Sequence, residues 1–599
     1  MCGIVAIAGK DFAVENVLEG LSALEYRGYD SAGLASQEKN GLSVVRAKGK
    51  IVNLREKLLS SPLYGAVVIG HTRWATHGKP DERNAHPHFV GRVSVVHNGI
   101  IENHEALSEL SVLKNWERKS ETDTEVIAAL LNFESGQDFE SVFLSVIKKL
   151  EGRFAIAALC EDEPGRLYFA RSGSPLVLGD CSDAFALGSD AVALSHMTNK
   201  ICYIEDGNWG YLEKSCVVVK NRQGDLINPF WQTVDVGDIS ADKGLFSHFM
   251  HKEIYDQADV VRRALMSHEQ ADWSYGKDVD WSDLSHVSLS ACGTASFACE
   301  IARVWLEELA GLHAWVDIAS EFITRPYCAK GNGLQILVSQ SGETADTLAA
   351  LNVARLNRLP VLSVVNVETS SLARESDVTV PVFAGNEVSV ASTKAFTAQL
   401  LGLLSLVLNA MDATGRHVQA DILRKELKTL PDLIEQVLAE EETCCEVGKA
   451  LAGFENALFL GRGSMFPIAK EGALKLAEIT YIHAQAYPSG ELKHGPLALV
   501  DESMPVVVFA PSGPNFEKTI SNMREVQARG GKIVLISDAA GVAQAGEGCW
   551  KTIVLPSIDA ILAPIIYAIP AQLMAYHAAV EKGEDVDQPR NLAKSVTVE

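Results

Sequence analysis

The chain lacks paired cysteines, and this shortage excludes two classes of protein. Its 599 residues include 11 cysteines, an odd number, and none of them forms a Cys-x-x-Cys pair. Neither a disulfide framework nor a zinc ribbon is therefore predicted. We expect a protein of a reducing compartment, the cytoplasm, with no metal ion.

Positive charge is also scarce. Lys and Arg number 53 against 77 Asp and Glu, which gives a formal net charge of −24. Such a chain repels phosphate backbones and anionic lipid headgroups, so we expect neither nucleic acid nor a membrane as a partner. The longest apolar segment, 396–411, contains polar residues and is too short to span a bilayer, so it is predicted to be a buried helix.

What the chain does have is the composition of a globular protein, with 47% hydrophobic residues and only 46 Gly and 20 Pro. At roughly 150 residues per domain, several domains are expected. Short strand-like runs dominate up to about residue 236. After a polar segment that follows, strand-like and long helical patterns alternate, which is typical of parallel α/β units.

The second part of the chain contains an internal repeat. The segment 287–294 (VSLSACGT) recurs about 170 residues later as 457–464 (ALFLGRGS), with Gly342 and Gly513 in matching turns. Two copies of one α/β domain are therefore predicted. The turn of the first copy is rich in hydroxyl groups and that of the second in proline, so we expect only the first to bind an anion.

Cys2 directly follows the initiator methionine. Removal of that methionine would give one residue both a thiol nucleophile and an α-amine with a pKa near 7.7–8.0 that can act as a general base. The alternative is a small buried residue at the start of a strand.

Five polar segments favour the catalytic interpretation of Cys2. They are 24–33, 70–80, 84–88, 97–103 and 120–125 (LEYRGYDSAG, GHTRWATHGKP, NAHPH, HNGIIEN and SETDTE). Over about residues 2–236 the chain resembles the glutaminase domain of class II, N-terminal-nucleophile amidotransferases. It departs from that family at Ala6, where glycine is frequent, which bears only on local packing.

This resemblance implies a role for each matching residue. Arg73 would bind the α-carboxylate of glutamine and Asp123 its α-ammonium group, while the Asn98 side chain and the Gly99 N–H would form the oxyanion hole. The same glutamine pocket would be lined by Trp74, Thr76, His77 and His86. Nearby supporting polar residues would be Arg27 and Asp30.

In the first repeat copy, hydroxyl groups gather between a strand and a helix predicted to begin near Ala345. The residues are Ser339, Gln340, Ser341, Gly342 and Thr344. A helix N-terminus with several hydroxyls favours phosphate. The segment resembles the sugar-phosphate loop of sugar isomerase (SIS) domains, which adds Thr294, Val390, Ser392, Thr393 and Lys394 by resemblance. Ala295 stands where that family usually has serine.

The second copy and the tail supply groups for sugar chemistry. Lys475 and Glu478 lie three residues apart on one predicted helix face, and His494 follows in a Gly-Pro turn. Beside a sugar phosphate, Glu478 could move a proton between adjacent carbons, with Lys475 in support, and His494 could protonate the ring oxygen. Lys594 could form an imine with an open-chain ketose, in a tail organised by Arg590.

Two other interpretations are rejected. The histidines His71, His77, His86, His88 and His97 lack carboxylate or thiolate partners at ligand spacing, which argues against a metal. The segment 461–466 (GRGSMF) lacks the third glycine of a dinucleotide loop, so no nicotinamide cofactor is expected.

Together the resemblances imply an α/β and α+β multidomain enzyme with an αββα glutaminase domain and two doubly wound parallel-sheet SIS domains. The predicted boundaries are 1–238, 239–423, 424–583 and a tail, 584–599. Such an enzyme would move ammonia inside the protein from glutamine, past Trp74, to fructose 6-phosphate, without a cofactor. It would be a homodimer through its SIS domains, with His494 acting on the neighbouring subunit.

Two alternatives stay open at this point. One is a class II amidotransferase for a different phosphosugar. The other is a non-enzymatic, SIS-type sensor of sugar phosphates. The sensor has no use for Cys2, Arg73, Asn98 and Asp123, and it would usually carry a basic DNA-binding segment.

Overall fold

The computed structural model describes residues 2–9, 12–25, 28–75, 78–234 and 243–596. The chain divides into two compact units, Met1–Ser240 with Ser595–Glu599, and Ala241–Lys594. The boundary predicted between residues 238 and 239 lies outside the described residues.

The first unit is mainly antiparallel sheet. Its strands are β1 Gly3–Ala8, β2 Ser31–Glu38, β3 Gly41–Lys48, β4 Val67–Arg73, β5 His88–Val90, β6 Val93–Ile101, β7 Gly152–Cys160, β8 Leu167–Ser172, β9 Val177–Asp180, β10 Phe185–Gly188, β11 Lys200–Tyr203, β12 Trp209–Leu212, β13 Val217–Lys220, β14 Leu226–Ile227 and β15 Gln232–Thr233. Its helices are α1 Ala13–Ala23, α2 Ile51–Ser60, α3 His104–Ser108, α4 Thr124–Phe133 and α5 Phe139–Ile147.

Two sheets pack face to face in this unit. Their strand orders are β15-β11-β9-β10-β1-β4-β2-β3 and β14-β13-β12-β8-β7-β6-β5. Strand β1 shows why the layers form: Ile4 and Ala6 enter the core between the sheets, whereas Val5 and Ile7 pack towards α1. Because successive side chains of a strand face opposite ways, an all-apolar strand is buried on both faces. Helices α4 and α5 cover the second sheet, which completes the predicted αββα order.

The second unit alternates helices with parallel strands. In chain order its elements are α6 Phe249–Tyr255, α7 Gln257–Gln270, β16 His286–Ala291, α8 Gly293–Trp305, β17 Ala314–Ile318, α9 Ala319–Phe322, β18 Gly333–Ser339, α10 Ala345–Leu356, β19 Val361–Val365, α11 Ser371–Glu375, β20 Val378–Pro381, α12 Lys394–Ala413, α13 His417–Leu427, α14 Leu430–Leu438, α15 Glu441–Leu451, β21 Asn456–Gly461, α16 Met465–Thr480, β22 His483–Pro488, β23 Pro505–Phe509, α17 Phe516–Gln527, β24 Lys532–Asp538, α18 Ala539–Ala545, β25 Lys551–Leu555 and α19 Ala563–Lys582.

The repeat predicted from the sequence is visible in the strand order. One sheet runs β17-β16-β18-β19-β20 and the other β22-β21-β23-β24-β25, all pairs being parallel. Each strand of the first copy thus has a counterpart at the same place in the second. The boundary predicted between residues 423 and 424 falls inside α13, so the chain continues there as helix.

Two helices of this unit, α12 and α19, are long and apolar enough to cross a membrane by length and composition alone. Their apolar windows are 94% and 89% buried inside the unit. Both belong to its main hydrophobic core, as Phe396 and Leu404 of α12 and Ile566 of α19 show. The segment 396–411 is therefore a buried core helix, as predicted.

Candidate active site

Cys2 lies at the start of β1, where the chain runs beside the end of β4. The backbone N–H of Trp74 donates to the Cys2 sulfur over 3.3 Å. Burial raises the pKa of the Cys2 thiol, and the positive charge at the chain's N-terminus, the Trp74 hydrogen bond and the Arg73 guanidinium each oppose that rise. The thiol is thus held in place while protonated, and a nearby base is needed to activate it.

Asn98 and Gly99 are neighbours on β6, and Asn98 contacts the backbone of Cys2. The Asn98 amide nitrogen donates to the backbone carbonyl of Cys2 over 3.2 Å and to the Ser189 hydroxyl over 2.8 Å. Gly99 has φ +132°, and a Cβ at this position would lie 1.9 Å from the carbonyl oxygen of Arg153. Only glycine fits at this position of β6.

Arg73 and Asp123 are buried and opposite in charge. The Arg73 guanidinium donates to the carbonyls of Lys79 and Gly78 over 3.4 and 3.3 Å. Asp123 Oδ2 accepts the backbone N–H of Ile101 over 2.8 Å. Burial lowers the pKa of Arg73, while Cys2, Asp30 and Asp123 raise it, so these groups share one electrostatic environment. A cation and an anion so arranged suit an amino acid's α-carboxylate and α-ammonium groups.

The structure describes some of the other residues predicted for the glutamine site and leaves three outside the described residues. Trp74 packs edge-to-face on Tyr29 with ring centroids 5.6 Å apart. Asp30 accepts the backbone N–H of Ala75 over 2.9 Å, which fixes the segment after β4. His86 is buried against His71. Thr76, His77 and Arg27 lie outside the described residues.

The predicted phosphate loop joins β18 to α10, and the helix begins at Ala345, as the sequence predicts. The hydroxyls of Ser339 and Thr344 lie 3.1 Å apart, and Ser339 also accepts the Gly342 N–H over 3.0 Å. Gly342 has φ +64°, and a Cβ there would lie 1.9 Å from the Ser370 hydroxyl. Gln340 and Ser341 complete this turn. Hydroxyls therefore gather at the N-terminus of a twelve-residue helix, as phosphate binding requires.

In the second copy, the carboxylate of a neighbouring strand end accepts the hydrogen-bond donors of the equivalent loop. Asp538, at the end of β24, accepts the backbone N–H and the hydroxyl of Ser512, each over 2.8 Å. The first copy has Asn366 after β19 instead, and its amide bonds Gly385 and Ala384. A carboxylate that already accepts the donors of a loop disfavours a second anion there. This substitution supports the expectation that only the first copy binds phosphate.

Five further residues from the segments predicted to bind the sugar phosphate have contacts elsewhere in the unit or lie in the first turn of a helix. Thr294 and Ala295 occupy the first turn of α8, and Ala295 packs against the unit's main hydrophobic core. The Val390 N–H donates to the carbonyl of Asp587 over 3.1 Å. The Ser392 hydroxyl donates to Glu387 over 3.1 Å. Lys394 instead pairs with Asp256 over 3.1 Å, so its charge is already partnered.

We expect Ala295→Ser to tighten binding of fructose 6-phosphate by up to about tenfold, because one neutral donor to a charged acceptor contributes roughly 1.5 kcal/mol. Isothermal titration calorimetry measures the effect. The matched control is Ala540→Ser in the first turn of α18, which should leave the affinity unchanged. Weaker binding by more than tenfold in the Ala295 variant would show that this residue does not face the phosphate.

Lys475 and Glu478 lie on one face of α16, as their spacing predicts, but they are not a surface pair. The Lys475 ammonium is 2.7 Å from Glu478 and 3.5 Å from Glu471, and its side chain is 1% exposed. Burial alone would lower the pKa of Lys475, but Glu471 and Glu478 outweigh it and raise that pKa. A charged lysine is therefore held in the interior between Glu478 and Glu471.

Lys594 lies in the same interior. It forms an ion pair with Glu387, whose side chain is fully buried. Glu387 also accepts the backbone N–H groups of Thr393 and Ala395 over 2.9 and 3.0 Å, and its negative charge reaches Lys475. Glu387 was not among the residues predicted from the sequence, although a carboxylate directly before the 388–394 segment was a readable signal. Arg590, predicted to organise the tail, lies over the Tyr481 ring at 3.9 Å.

Glu253 and Asp587 were not predicted from the sequence either. Glu253 fixes the 387–395 segment, and Asp587 fixes the tail. Glu253 accepts the Ser389 hydroxyl and backbone N–H, and burial and the nearby Glu387 raise its pKa to about 7. Asp587 accepts the N–H groups of Phe249 and Met250, each over 2.9 Å, at the start of α6. These contacts fix the tail just before Lys594 and the segment that carries its partner Glu387.

We expect Glu471→Gln to flatten the decline of stability between about pH 4.5 and 7. Burial raises the pKa of Glu471 to about 7. Over this window the folded chain keeps a proton that the unfolded chain has lost, so the free energy of unfolding falls as pH rises, by about 1.4 kcal/mol per pH unit for one such group. Melting temperatures at a series of pH values measure the slope.

The control is Glu300→Gln, which breaks a partly exposed pair with Lys470 and should keep the slope of the unsubstituted chain. An unchanged slope in Glu471→Gln would contradict the assignment. Glu253 titrates over the same window, so part of the slope remains in the variant.

His494 stands apart from these groups. It ends a 3-10 turn, Glu491–His494, and its side chain is exposed. Within the part of the chain that the structure describes, its ring makes no hydrogen bond or ion pair. The structure thus pairs Lys475 with Glu478 and Lys594 with Glu387, whose charge acts on Lys475, and it does not bring His494 to these groups.

This fold and these groups define a glutamine amidotransferase joined to a pair of SIS domains, and comparison with known proteins agrees. Residues 71–196 match a glutamine amidotransferase domain. Residues 282–409 and 451–582 each match a SIS domain.

Relatives of similar length cover the whole chain. The glutamine–fructose-6-phosphate aminotransferases (isomerizing) of Zymomonas mobilis and Brucella suis are each 46% identical, over 100% of both chains. The structure of the C-terminal domain of glucosamine-fructose-6-phosphate aminotransferase from Francisella tularensis is 40% identical, with a TM-score of 0.56 over 58% of this chain and 100% of that one. The chain belongs to the glutamine–fructose-6-phosphate aminotransferase (isomerizing) family, and is therefore a glutamine-dependent aminotransferase.

Proposed function

We propose a division of labour for the reaction of this family, in which L-glutamine and D-fructose 6-phosphate give L-glutamate and D-glucosamine 6-phosphate. The first unit releases ammonia from glutamine, and the second aminates and isomerises the sugar. The observation that carries the proposal is the buried set of charges in the second unit, where Lys594 pairs with Glu387 and Lys475 with Glu478. Burying two lysines and their carboxylates costs desolvation free energy. This cost indicates that the four groups have a chemical role.

In the first unit, Cys2 attacks the amide carbon of glutamine. The α-amine that methionine removal exposes takes the thiol proton, and ammonia leaves as a thioester forms. Asn98 and Gly99 donate to the oxyanion, Arg73 and Asp123 hold the amino-acid end, and Trp74, Thr76, His77 and His86 line the pocket. Water then hydrolyses the thioester to glutamate.

In the second unit, Ser339, Gln340, Ser341 and Thr344 bind the phosphate group, with contacts from Thr294, Val390 and Ser392. His494 protonates the ring oxygen and opens the sugar. Lys594 condenses with the C2 carbonyl, losing water to form an imine, and ammonia then replaces the lysine at C2. Glu478, supported by Lys475, moves a proton from C1 to C2, which completes the aldose.

Ammonia travels between the two reactions without entering bulk solvent. In water at neutral pH it would be protonated and would lose its nucleophilic lone pair, so transfer inside the protein preserves its reactivity. Trp74 adjoins the Cys2 sulfur through its backbone N–H and borders the point of release.

An isotope-dilution experiment tests this transfer. Glutamine labelled with nitrogen-15 at the amide is supplied together with fructose 6-phosphate and excess unlabelled ammonium. Mass spectrometry of the amino sugar should show nearly complete label. Dilution in proportion to the added ammonium would show that ammonia equilibrates with solvent, and the absence of any glucosamine 6-phosphate would overturn the proposed function as a whole.

The assembly proposed is a cytoplasmic homodimer formed through the SIS domains, with small-molecule substrates and neither nucleic acid nor a membrane as partner. The net charge of −24 supports the last point. The exposed ring of His494 supports the dimer, because a second subunit's sugar site would give that histidine the neighbour it lacks within the described chain.

A further inference from the structure

We propose that His71 is a positioning residue for Asn98. Its imidazole N–H fixes which end of the Asn98 side-chain amide faces Cys2, and thereby aims an oxyanion-hole donor. The inference rests on the proposed role of Asn98 in the oxyanion hole. His71 is completely buried near the end of β4, and Asn98 lies on β6.

The proton of His71 can be assigned from its neighbours. Nε2 of His71 lies 3.0 Å from the backbone carbonyl oxygen of His97. A carbonyl oxygen only accepts, so Nε2 must carry hydrogen. Burial lowers the pKa of His71 to about 3, so the ring is neutral and holds a single proton. Nδ1 is buried and has no hydrogen-bond partner among the residues that the structure describes, as this tautomer allows.

This tautomer determines the orientation of Asn98. The Asn98 side-chain atom that faces Nε2 lies 3.1 Å away, and opposite an N–H it must be the oxygen, Oδ1. The amide nitrogen then faces the Cys2 carbonyl and the Ser189 hydroxyl over 3.2 and 2.8 Å. A flipped amide would set its NH₂ against the imidazole N–H and its oxygen against the Cys2 carbonyl. The imidazole N–H of His71 on one side and the backbone carbonyl of Cys2 on the other therefore allow a single orientation of the Asn98 amide.

The orientation matters because the two ends of an amide act oppositely on an oxyanion. The NH₂ group stabilises the negative charge that develops when Cys2 attacks glutamine, whereas the oxygen repels it. Removing one oxyanion-hole donor costs about 10²–10³-fold in kcat. We expect loss of the His71 donor, which leaves the amide free to turn, to cost about 10- to 100-fold.

The opposing explanation is that His71 only fills space. Its ring does pack on His86, with centroids 4.1 Å apart, and His86 Nδ1 lies 3.1 Å from the same Nε2. A packing role predicts a general disturbance of the pocket. A positioning role predicts a loss confined to steps that form an oxyanion, and a loss that depends on Asn98.

The experiment compares substitutions in the full-length enzyme with fructose 6-phosphate present. His71→Leu keeps bulk but removes the donor, His71→Asn reaches only the Nδ1 position, and His71→Gln places an NH₂ near Nε2. We expect His71→Leu and His71→Asn each to lower kcat for glutamine hydrolysis by about 10- to 100-fold, with KM changed less than about threefold. His71→Gln should recover most of the activity. Thermal unfolding of each variant, with the transition of the first unit at an unchanged temperature, confirms that this unit is folded, and isomerisation of fructose 6-phosphate measured in the same preparations normalises for the amount of enzyme.

Two probes separate positioning from packing. Glutamate γ-semialdehyde, whose aldehyde forms a tetrahedral adduct with the thiol, should bind more weakly by the same factor as kcat falls. Alkylation of Cys2 by iodoacetamide displaces iodide and forms no oxyanion, so its rate should change less than about threefold. Equal slowing of alkylation and hydrolysis would overturn the inference.

A double-mutant cycle completes the test. In the Asn98→Ala background, His71→Leu should cost less than about threefold further, because the group it positions is gone. A full additional loss there would overturn the positioning role and leave the role of Asn98 intact. If Asn98→Ala alone leaves kcat unchanged, the oxyanion-hole assignment itself is wrong, and the inference falls with it.

Discussion

Replacing Lys594 with arginine is expected to abolish synthesis of glucosamine 6-phosphate and isomerisation of fructose 6-phosphate, while glutamine hydrolysis at Cys2 continues. Arginine keeps the positive charge and the ion pair with buried Glu387, so the tail should stay in place. It cannot lose a proton under these conditions and so cannot attack the C2 carbonyl. We expect both sugar reactions to fall by about a thousandfold or more, as when other enzymes lose their nucleophile. Product formation is measured by mass spectrometry.

The environment of Lys594 places a carboxylate next to an amine that must lose a proton to react. An unperturbed lysine, with a pKa near 10.4, is almost wholly protonated at neutral pH. Attack on the sugar therefore requires proton transfer to a neighbour, and Glu387 is the carboxylate in contact with the amine. Burial raises the pKa of Glu387, but the charge and hydrogen bond of Lys594, together with the backbone N–H groups of Thr393 and Ala395, outweigh burial and lower that pKa. The ion pair therefore stabilises the charged amine, and the proton can pass to Glu387 only as the bond from the Lys594 nitrogen to C2 forms.

Chemical trapping identifies the lysine directly. Borohydride added to the enzyme with fructose 6-phosphate should reduce the imine and leave the sugar on the peptide that contains Lys594. The matched control is Arg590→Lys, which alters a neighbouring cation of the tail and should still trap at Lys594. Normal product formation by Lys594→Arg would rule the role out, and trapping on Lys475 would transfer it there.

The parts of the fold that depend on neighbours in sequence were predictable. The strand β18, its hydroxyl-rich turn and the start of α10 at Ala345 follow from local pattern. The shared face of Lys475 and Glu478 follows from helix geometry, and their hydrogen bond confirms it. The repeat predicted two equivalent sheets, and their strand orders match.

The parts that depend on distant residues were not predictable. Lys594 and Glu387 are 207 positions apart, and His71 and Asn98 lie on different sheets. No local periodicity reports such contacts, because they arise only when the chain path is fixed. The burial of Lys475 also depends on distant residues and was not predictable. From the sequence alone, a lysine and a glutamate at this spacing are expected to form an exposed pair.

One difference between the two copies is visible in the sequence alone. Superposing the repeat places Asn366 opposite Asp538, each at or just after the end of an equivalent strand. The neutral amide leaves the first loop without an internal anion, whereas the carboxylate occupies the donors of the second. The charge of this one position, with the hydroxyls of the loop, distinguishes the phosphate-binding copy.

Replacing Cys2 with alanine is expected to eliminate glutamine hydrolysis while isomerisation of fructose 6-phosphate is retained. The two reactions are assigned to separate compact units, so loss of the thiol should not disturb the Lys594 site. Removing a covalent nucleophile lowers turnover by about a thousandfold or more. Glutamate release measures the first reaction, and glucose 6-phosphate formed from fructose 6-phosphate measures the second. The control is Cys328→Ala, at an exposed free cysteine, which should leave both reactions unchanged.

The reason Cys2 should act alone among the 11 cysteines is its neighbourhood. Burial raises the pKa of the Cys299 and Cys444 thiols, and nearby carboxylates raise both further. Cys2 is the thiol beside Arg73 and, once methionine is removed, beside its own α-amine, which can take its proton. A glutamine analogue with an electrophile at the δ-carbon should therefore label Cys2 and leave the others unmodified. The intact mass of active enzyme should correspond to a chain that begins at Cys2, and fully active enzyme that retains Met1 would exclude the α-amine as the base.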